Sequence, residues 1–256
     1  MAGGVRNMIR LAARGTSWSQ FVDYASPALF DVMPARALMT QCREFIRNGG
    51  DKPRFDQIRE STGPMLQART IDVQLIDRSD HAQGVGLDAL SEEVRRTMGQ
   101  SILELFFGQL FGTEHAIMDV RSDSFLVDDA GILLWQPKAF YVEWQRDFID
   151  AVRDLYIGFY FDDPSRFNDA MARLDMHSGE DTLRTLLGKD DPRNARFETA
   201  AFHENFHEVF VTYRDQGVAL HRNFLALGVY LVCLYEALER VGVALDVRAA
   251  LERARG

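Results

Sequence analysis

Two histidines and a glutamate near the C-terminal end form a metal-binding pattern. His203, Glu204 and His207 fit the spacing H-E-x-x-H. On a helix both imidazoles lie on one face and can bind one Zn²⁺, while Glu204 can act as general base toward a metal-bound water. The pattern predicts a zinc-dependent hydrolase as one candidate function, although no accompanying motif marks a third ligand and Glu236 and Glu239 are candidates by position alone. The alternative is a packing helix whose apolar stripe is bordered by the two histidines, and we favour that interpretation.

Asp119 is the second residue with a candidate chemical role. It follows a long apolar stretch and precedes two short apolar runs, Ser124–Val127 and Ile132–Trp135, which are joined by an Asp-Asp-Ala-Gly turn. A loop carboxylate can act as a general base. The alternative is a structural aspartate that braces Arg121 and nearby backbone amides. We favour the structural role over the catalytic one.

The elements that would position these residues are mainly helical. Apolar residues recur at helical spacing over most of the chain, and strand signals are confined to Thr70–Ile76 and the two runs of a short hairpin. The helices are predicted at 35–48, 91–111, 140–161, from 164 onward, 193–215, 222–239 and 247–253. The fold class is therefore mainly α with a small β component. Turn-forming residues in Asp77–Leu87 predict a boundary between an N-terminal region, 1–76, and a helical domain, 77–256.

Several segments of the chain resemble the C-terminal lobe of the AarF/UbiB-type atypical kinases. The helix end LFFGQLF, Leu105–Phe111, is similar to the family's LFxQLF, and FLVDDAGILL, Phe125–Leu134, is similar to its LVxDxGxLxL. The resemblance runs from about residue 70 to residue 250. It implies a protein-kinase-like C-terminal lobe, a helical bundle plus a short hairpin, together with ATP and Mg²⁺ as possible ligands and a link to isoprenoid-lipid or quinone metabolism.

The positions that would carry kinase chemistry depart from the family pattern. The resemblance places Asp119 at the catalytic-loop aspartate, but Ser124 stands at the metal-binding asparagine and Gln136 at the metal-binding aspartate. A neutral amide cannot replace the carboxylate through which Mg²⁺ is usually held. The three lysines, Lys52, Lys138 and Lys189, all lie in loop-like contexts rather than in mid-strand. We therefore predict a non-catalytic, kinase-like binding or accessory protein with no required cofactor, and residual kinase or ATPase activity through Asp119 as an alternative.

Composition and charge restrict the partners. The 256 residues carry a net charge of -9, which argues against a nucleic-acid partner because such proteins present a basic face. No apolar run reaches the roughly 20 residues that a membrane-spanning helix needs. Arg6, Arg10 and Arg14 could form a basic helical stripe that touches an anionic membrane, although a solvated helix face is the simpler interpretation. We expect a cytoplasmic protein whose partner is another protein or an apolar small molecule such as a lipid.

Overall fold

A computed structural model describes residues 35–80, 82–188, 191, 193–217 and 220–255 of the chain. Within these residues the fold is mainly helical with two small sheets. The α-helices are α1 (Ala35–Gly50), α2 (Lys52–Ala68), α3 (Glu92–Gly112), α4 (Arg146–Tyr160), α5 (Pro164–Arg173), α6 (Glu180–Leu186), α7 (Thr199–Gln216), α8 (Asn223–Val241) and α9 (Val247–Arg255). The strands are β1 (Val73–Leu75), β2 (His115–Ile117), β3 (Phe125–Val127), β4 (Leu133–Trp135) and β5 (Tyr141–Glu143). The predicted fold class, mainly α with a small β component, is confirmed.

The chain divides into two compact units, and each is assembled from separate segments of sequence. Among the described residues, the first unit contains 35–50, 144–188 and 200–229, and the second contains 51–143, 191–199 and 230–255. Helix α8 contributes its residues up to Val229 to the first unit and those from Tyr230 onward to the second. The predicted boundary after residue 76 falls inside the second unit, in the link that follows β1.

The second unit holds both sheets. In the first sheet β4 is central: it pairs parallel with β1 and antiparallel with β3. Asp128 closes the β3–β4 turn, since its side chain accepts hydrogen bonds from the backbone amides of Ala130 and Ile132, and Gly131 supplies the positive φ of 80° that the turn requires. The predicted hairpin and the predicted strand within Thr70–Ile76 are therefore confirmed. The second sheet pairs β2 antiparallel with β5.

Helix α3 is the central helix of the second unit. Ser91 caps its N-terminus by accepting a hydrogen bond from the Val94 amide, and two glutamates occupy its first turn, where carboxylates favour the helix dipole. Buried Gln109 ties α3 to β2, because its side chain accepts from the Ile117 amide and donates to the Ile117 carbonyl and to the Tyr230 hydroxyl. This bridge fixes the direction in which the chain leaves α3 and enters the loop that carries Asp119.

The first unit packs α4 closely against α5. Gly158 permits this approach, since a Cβ at that position would lie 2.5 Å from the Phe167 amide nitrogen. The Arg184 guanidinium covers the other side of the contact, 4.1 Å from the centroid of the Phe167 ring. Along α7, the Phe202 ring stacks on Phe206, and Phe206 contacts Phe210 edge to face.

Three local predictions are wrong. The helix predicted at 193–215 begins only at Thr199. Residues 140–161 do not form one helix: β5 occupies Tyr141–Glu143, and the helix begins only at Arg146. The mainly apolar segment 140–144 fits either a strand or a helix, and pairing with β2 decides the outcome. Lys52 does not lie in a loop, because it is the first residue of α2, where the side chain of Asp51 caps the helix. Among the described residues, no helix combines the length and the apolar character that crossing a membrane requires. The arginine stripe at Arg6, Arg10 and Arg14 lies outside the described residues.

Candidate functional site

The side chain of Asp119 is buried and is held by protein donors on both carboxylate oxygens. The loop between β2 and a single 3-10 turn, Ser122–Ser124, carries this residue. Its Oδ1 accepts a hydrogen bond of 2.7 Å from Arg121 Nε, and its Oδ2 accepts one of 2.7 Å from the Lys138 backbone amide. Only 1% of the residue is exposed. The structure therefore shows the contact with Arg121 that the bracing interpretation predicts.

The main-chain carbonyl of Asp119 is engaged as well. It accepts a hydrogen bond of 2.8 Å from the Trp135 indole nitrogen and one of 3.0 Å from the Ser124 hydroxyl, which also lies 2.7 Å from the Arg121 carbonyl. The last residue of β4 and the residue before β3 are thus both fixed to the same peptide group. Because Trp135 and Ser124 are themselves buried, this arrangement leaves the loop little freedom to change conformation.

Alternating charges surround the loop. Asp123 lies 3.5 Å from the Arg121 guanidinium and 3.3 Å from the Lys138 ammonium group. Burial lowers the pKa of Arg121, but the carboxylates of Asp119 and Asp123 outweigh it and raise the pKa overall. Arg121 therefore stays charged, and the buried Asp119 carboxylate has a permanent counter-ion. This network holds the loop in place from both sides of the hairpin.

Helix α8, which is distant in sequence, also holds the loop through hydrogen bonds. Glu236 accepts hydrogen bonds from the backbone amide of Ser122 at 2.8 Å and from its hydroxyl at 2.6 Å. Cys233, one turn earlier on α8, is fully buried; burial raises the pKa of its thiol, and the nearby charge of Asp119 raises it further. The thiol therefore remains protonated at neutral pH and lacks the thiolate character of a nucleophile.

Gln136 acts as a structural link. Its backbone amide donates to the Ser124 carbonyl at 2.8 Å, and its side-chain Nε2 donates to the Asp77 carbonyl at 3.3 Å. The Asp77 carboxylate is held by Ser79 and by an ion pair with Arg59, and hydrogen bonds from the Ser79 amide and hydroxyl, together with Arg59, lower its pKa to about 2. Gln136 thus joins the end of β4 to the link that follows β1.

Neither of the positions that the family resemblance assigns to metal binding carries a carboxylate. Ser124 is buried and hydrogen bonded to loop carbonyls, and Gln136 is an amide. Throughout the described part of the chain, no group of three or more His, Cys, Asp or Glu side chains is arranged to hold a metal ion. Of the two lysines that the structure describes, Lys52 begins α2 and Lys138 lies between β4 and β5, so neither lies within a strand.

The predicted zinc motif lies on α7. The motif is helical, as its spacing predicts; His203 is half-buried beside Phe202, while Glu204 and His207 are exposed. Both carboxylates considered as third ligands serve other groups: Glu236 binds Ser122, and Glu239 accepts hydrogen bonds from the amide and hydroxyl of Thr199. The zinc-dependent hydrolase stays a prediction from the motif, and nothing in the described residues supplies the missing ligand.

Sequence reasoning missed three residues that hold the loop. The sequence placed Trp135 only in an apolar run, Lys138 only in a loop and Glu236 only at a zinc site, yet all three contact the segment 119–124. No local pattern could reveal the Glu236 contact, because 114 residues separate it from Ser122. The alternation of Asp119, Arg121 and Asp123 was the one available signal of a charge network.

Comparison with known proteins does not change this picture. No family model matches the sequence, and the search of curated proteins gives no match either. The interpretation of the Asp119 loop therefore depends on its geometry and on the sequence resemblance described above.

Proposed function

We propose that this protein is a non-catalytic, kinase-like binding or accessory protein. The observation that carries the proposal is the state of Asp119, whose two carboxylate oxygens accept hydrogen bonds from Arg121 and from the Lys138 amide while only 1% of the residue is exposed. A general base must reach the proton that it removes, either directly or through one water molecule. A buried carboxylate whose two oxygens already accept hydrogen bonds from the protein can reach a substrate proton by neither route.

The order of the elements supports the resemblance to AarF/UbiB-type kinases. A short strand, a link, a long helix, a loop with an aspartate and a hairpin follow one another from β1 to β4. The kinase-like C-terminal lobe is therefore our proposal for the fold at the finer level. In this proposal the apolar positions of the hairpin are retained for packing, and Ser124 and Gln136 stand where metal ligands would be required.

The partner follows from the resemblance rather than from the site. We propose an accessory role in isoprenoid-lipid or quinone metabolism in the cytoplasm, with a protein or an apolar small molecule as the bound partner. A kinase-like scaffold without phosphoryl-transfer chemistry can still serve such a role, because fold and activity are separable. Residual kinase or ATPase activity through Asp119 is the competing proposal.

A thermal-unfolding experiment with nucleotide separates the two proposals. The protein is heated alone, with ATP and Mg²⁺, and with ATP and a chelator. A ligand at 100 times its dissociation constant stabilises the folded state by about 2.7 kcal/mol, and each kcal/mol shifts the Tm of a protein of this size by about 2–4 °C. We expect no Mg²⁺-dependent shift. A Mg²⁺-dependent rise of several degrees, absent with the chelator, would show a working metal–nucleotide site and contradict the proposal.

A further inference from the structure

Helix α1 exposes a face that combines positive charge with large apolar side chains. Two of the large hydrophobic side chains that stand out as exposed in the described chain lie here, Met39 at 46% and Ile46 at 44% exposed. Three exposed arginines, Arg36, Arg43 and Arg47, lie beside them. At about 100° per residue all five fall within an arc of about 100°. We call these five residues the basic–apolar face.

The opposite side of α1 is turned into the protein. Gln41, Phe45 and Asn48 are each buried, so the helix is held by one side and leaves the basic–apolar face to solvent. The single acidic residue of α1, Glu44, lies at the flank and forms an ion pair of 3.1 Å with Arg222. No carboxylate of α1 therefore competes for the three arginines, and no ion pair to another described residue neutralises them.

We propose that the basic–apolar face of α1 binds an anionic membrane surface. Helices that lie in the membrane interface carry arginine or lysine beside apolar residues, so that the apolar groups enter the acyl boundary while the cations meet lipid headgroups. Met39 and Ile46 lie two turns apart on this face, flanked by the arginines, which is the arrangement that such a contact needs. This proposal is independent of the phosphoryl-transfer question and concerns a different part of the chain.

The net charge of the whole protein opposes binding to an anionic membrane, so the local charge of the basic–apolar face must decide the interaction. A net charge of -9 repels an anionic surface at long range. At physiological ionic strength the screening length is only about 8 Å, so the charges nearest the lipid decide the interaction. Acidic protein segments also attract arginine, but two exposed apolar side chains within the same arc favour a bilayer, where both kinds of group find partners at once.

The expected effects follow from the number of groups that contact lipid. Each arginine near an anionic surface contributes roughly fivefold to the partition coefficient, so the double variant R43Q/R47Q should bind about 25-fold more weakly. Met39 and Ile46 each have about half of their surface available for burial, and M39S/I46S should lose a comparable factor. Both pairs are exposed, so the variants should keep the Tm of the unchanged protein.

Co-sedimentation with vesicles tests the proposal, using the full chain without an affinity tag. Vesicles of phosphatidylcholine with about 30% phosphatidylserine are compared with pure phosphatidylcholine, at about 0.1 M and about 1 M salt. The control variant R96Q/R214Q removes the same charge from two exposed arginines on α3 and α7. A second control, R10Q/R14Q, tests whether the N-terminal arginines are responsible instead.

The proposal requires binding to the anionic vesicles only, a fall at high salt, and a loss in R43Q/R47Q and M39S/I46S that R96Q/R214Q does not show. It is overturned if the unchanged protein does not bind the anionic vesicles, which is the result expected if the partner of this face is an acidic protein. It is also overturned if R43Q/R47Q binds like the unchanged protein, or if R10Q/R14Q alone removes binding.

Discussion

Replacement of Asp119 by alanine distinguishes a structural aspartate from a catalytic one. The change removes the acceptor of Arg121 Nε and of the Lys138 amide at the same time. Arg121, whose side chain is only 10% exposed, then loses the carboxylate at 2.7 Å and still lies 3.5 Å from the half-exposed Asp123. Removing one partner of a buried ion pair typically costs about 3–5 kcal/mol, and a buried amide without an acceptor costs about 1–3 kcal/mol. Because these contributions overlap, we expect Asp119→Ala to lower the free energy of unfolding by about 3–5 kcal/mol.

Urea unfolding followed by tryptophan fluorescence measures this loss, and Trp135 reports directly on the loop because it donates to the Asp119 carbonyl. Asp123→Asn is the matched control: this neighbour pairs with the same Arg121 and Lys138 but is 54% exposed, so its loss should stay below about 1 kcal/mol. The double variant D119A/R121A should lose less than the sum of the single changes, since it leaves no unpaired buried charge.

The outcome has opposite signs for the two roles of Asp119. Active-site groups are often held at a cost in stability, so replacing a catalytic carboxylate tends to be neutral or stabilising. A loss below about 1 kcal/mol in Asp119→Ala, equal to that of Asp123→Asn, would refute the bracing role.

Two further predictions concern burial and close packing. Burial, partly offset by Arg253, raises the pKa of Glu104 from 4.5 to about 6. The ionised carboxylate therefore lowers the free energy of unfolding by about 2 kcal/mol above pH 7. This loss disappears as the pH falls to about 4.5, where Glu104 becomes protonated in the folded protein. Glu104→Gln should therefore stabilise the protein by about 1–2 kcal/mol at pH 8 but not at pH 4.5. Loss of the ion pair with Arg253 should cost little, because Arg253 is exposed. Equal effects at both pH values in urea unfolding would contradict this prediction. Gly158→Ala should destabilise the protein by about 1–3 kcal/mol, because the new Cβ would meet the Phe167 backbone. The control Gly63→Ala has open space around the new methyl group and should be neutral or stabilising. Similar Tm shifts in both variants would disprove the packing argument.

The parts of the fold that could be predicted are those encoded locally. The β3–β4 hairpin was predictable because Asp128 and Gly131 supply the turn chemistry within four residues of sequence, and α3 because Ser91 caps it ahead of a long periodic segment. The β2–β5 pair was not, because its strands are three residues long and the paired residues His115 and Glu143 lie far apart in sequence. Helix α2 was missed because Pro53, Gly63 and Pro64 suggest a loop, although proline is well tolerated in a first helical turn.

The site shows the same division. The bracing of Arg121 by Asp119 could be predicted, since the two residues lie two positions apart in one loop. The Lys138 amide, the Trp135 indole and Glu236 could not, because each reaches the loop only through tertiary packing. Whether Asp119 has any catalytic role is also beyond local sequence, since the same aspartate serves either role depending on its burial and its donors.

Phosphate release from ATP in the presence of Mg²⁺ is the measurement that tests the absence of catalysis most directly. The unchanged protein and Asp119→Asn, which keeps the side-chain shape and one oxygen acceptor, are compared at equal folded concentration. A catalytic base contributes about 10²–10⁴-fold to a rate. We predict that both proteins release phosphate at the rate of the buffer alone. A rate above that background which falls at least about 100-fold in folded Asp119→Asn would contradict the account.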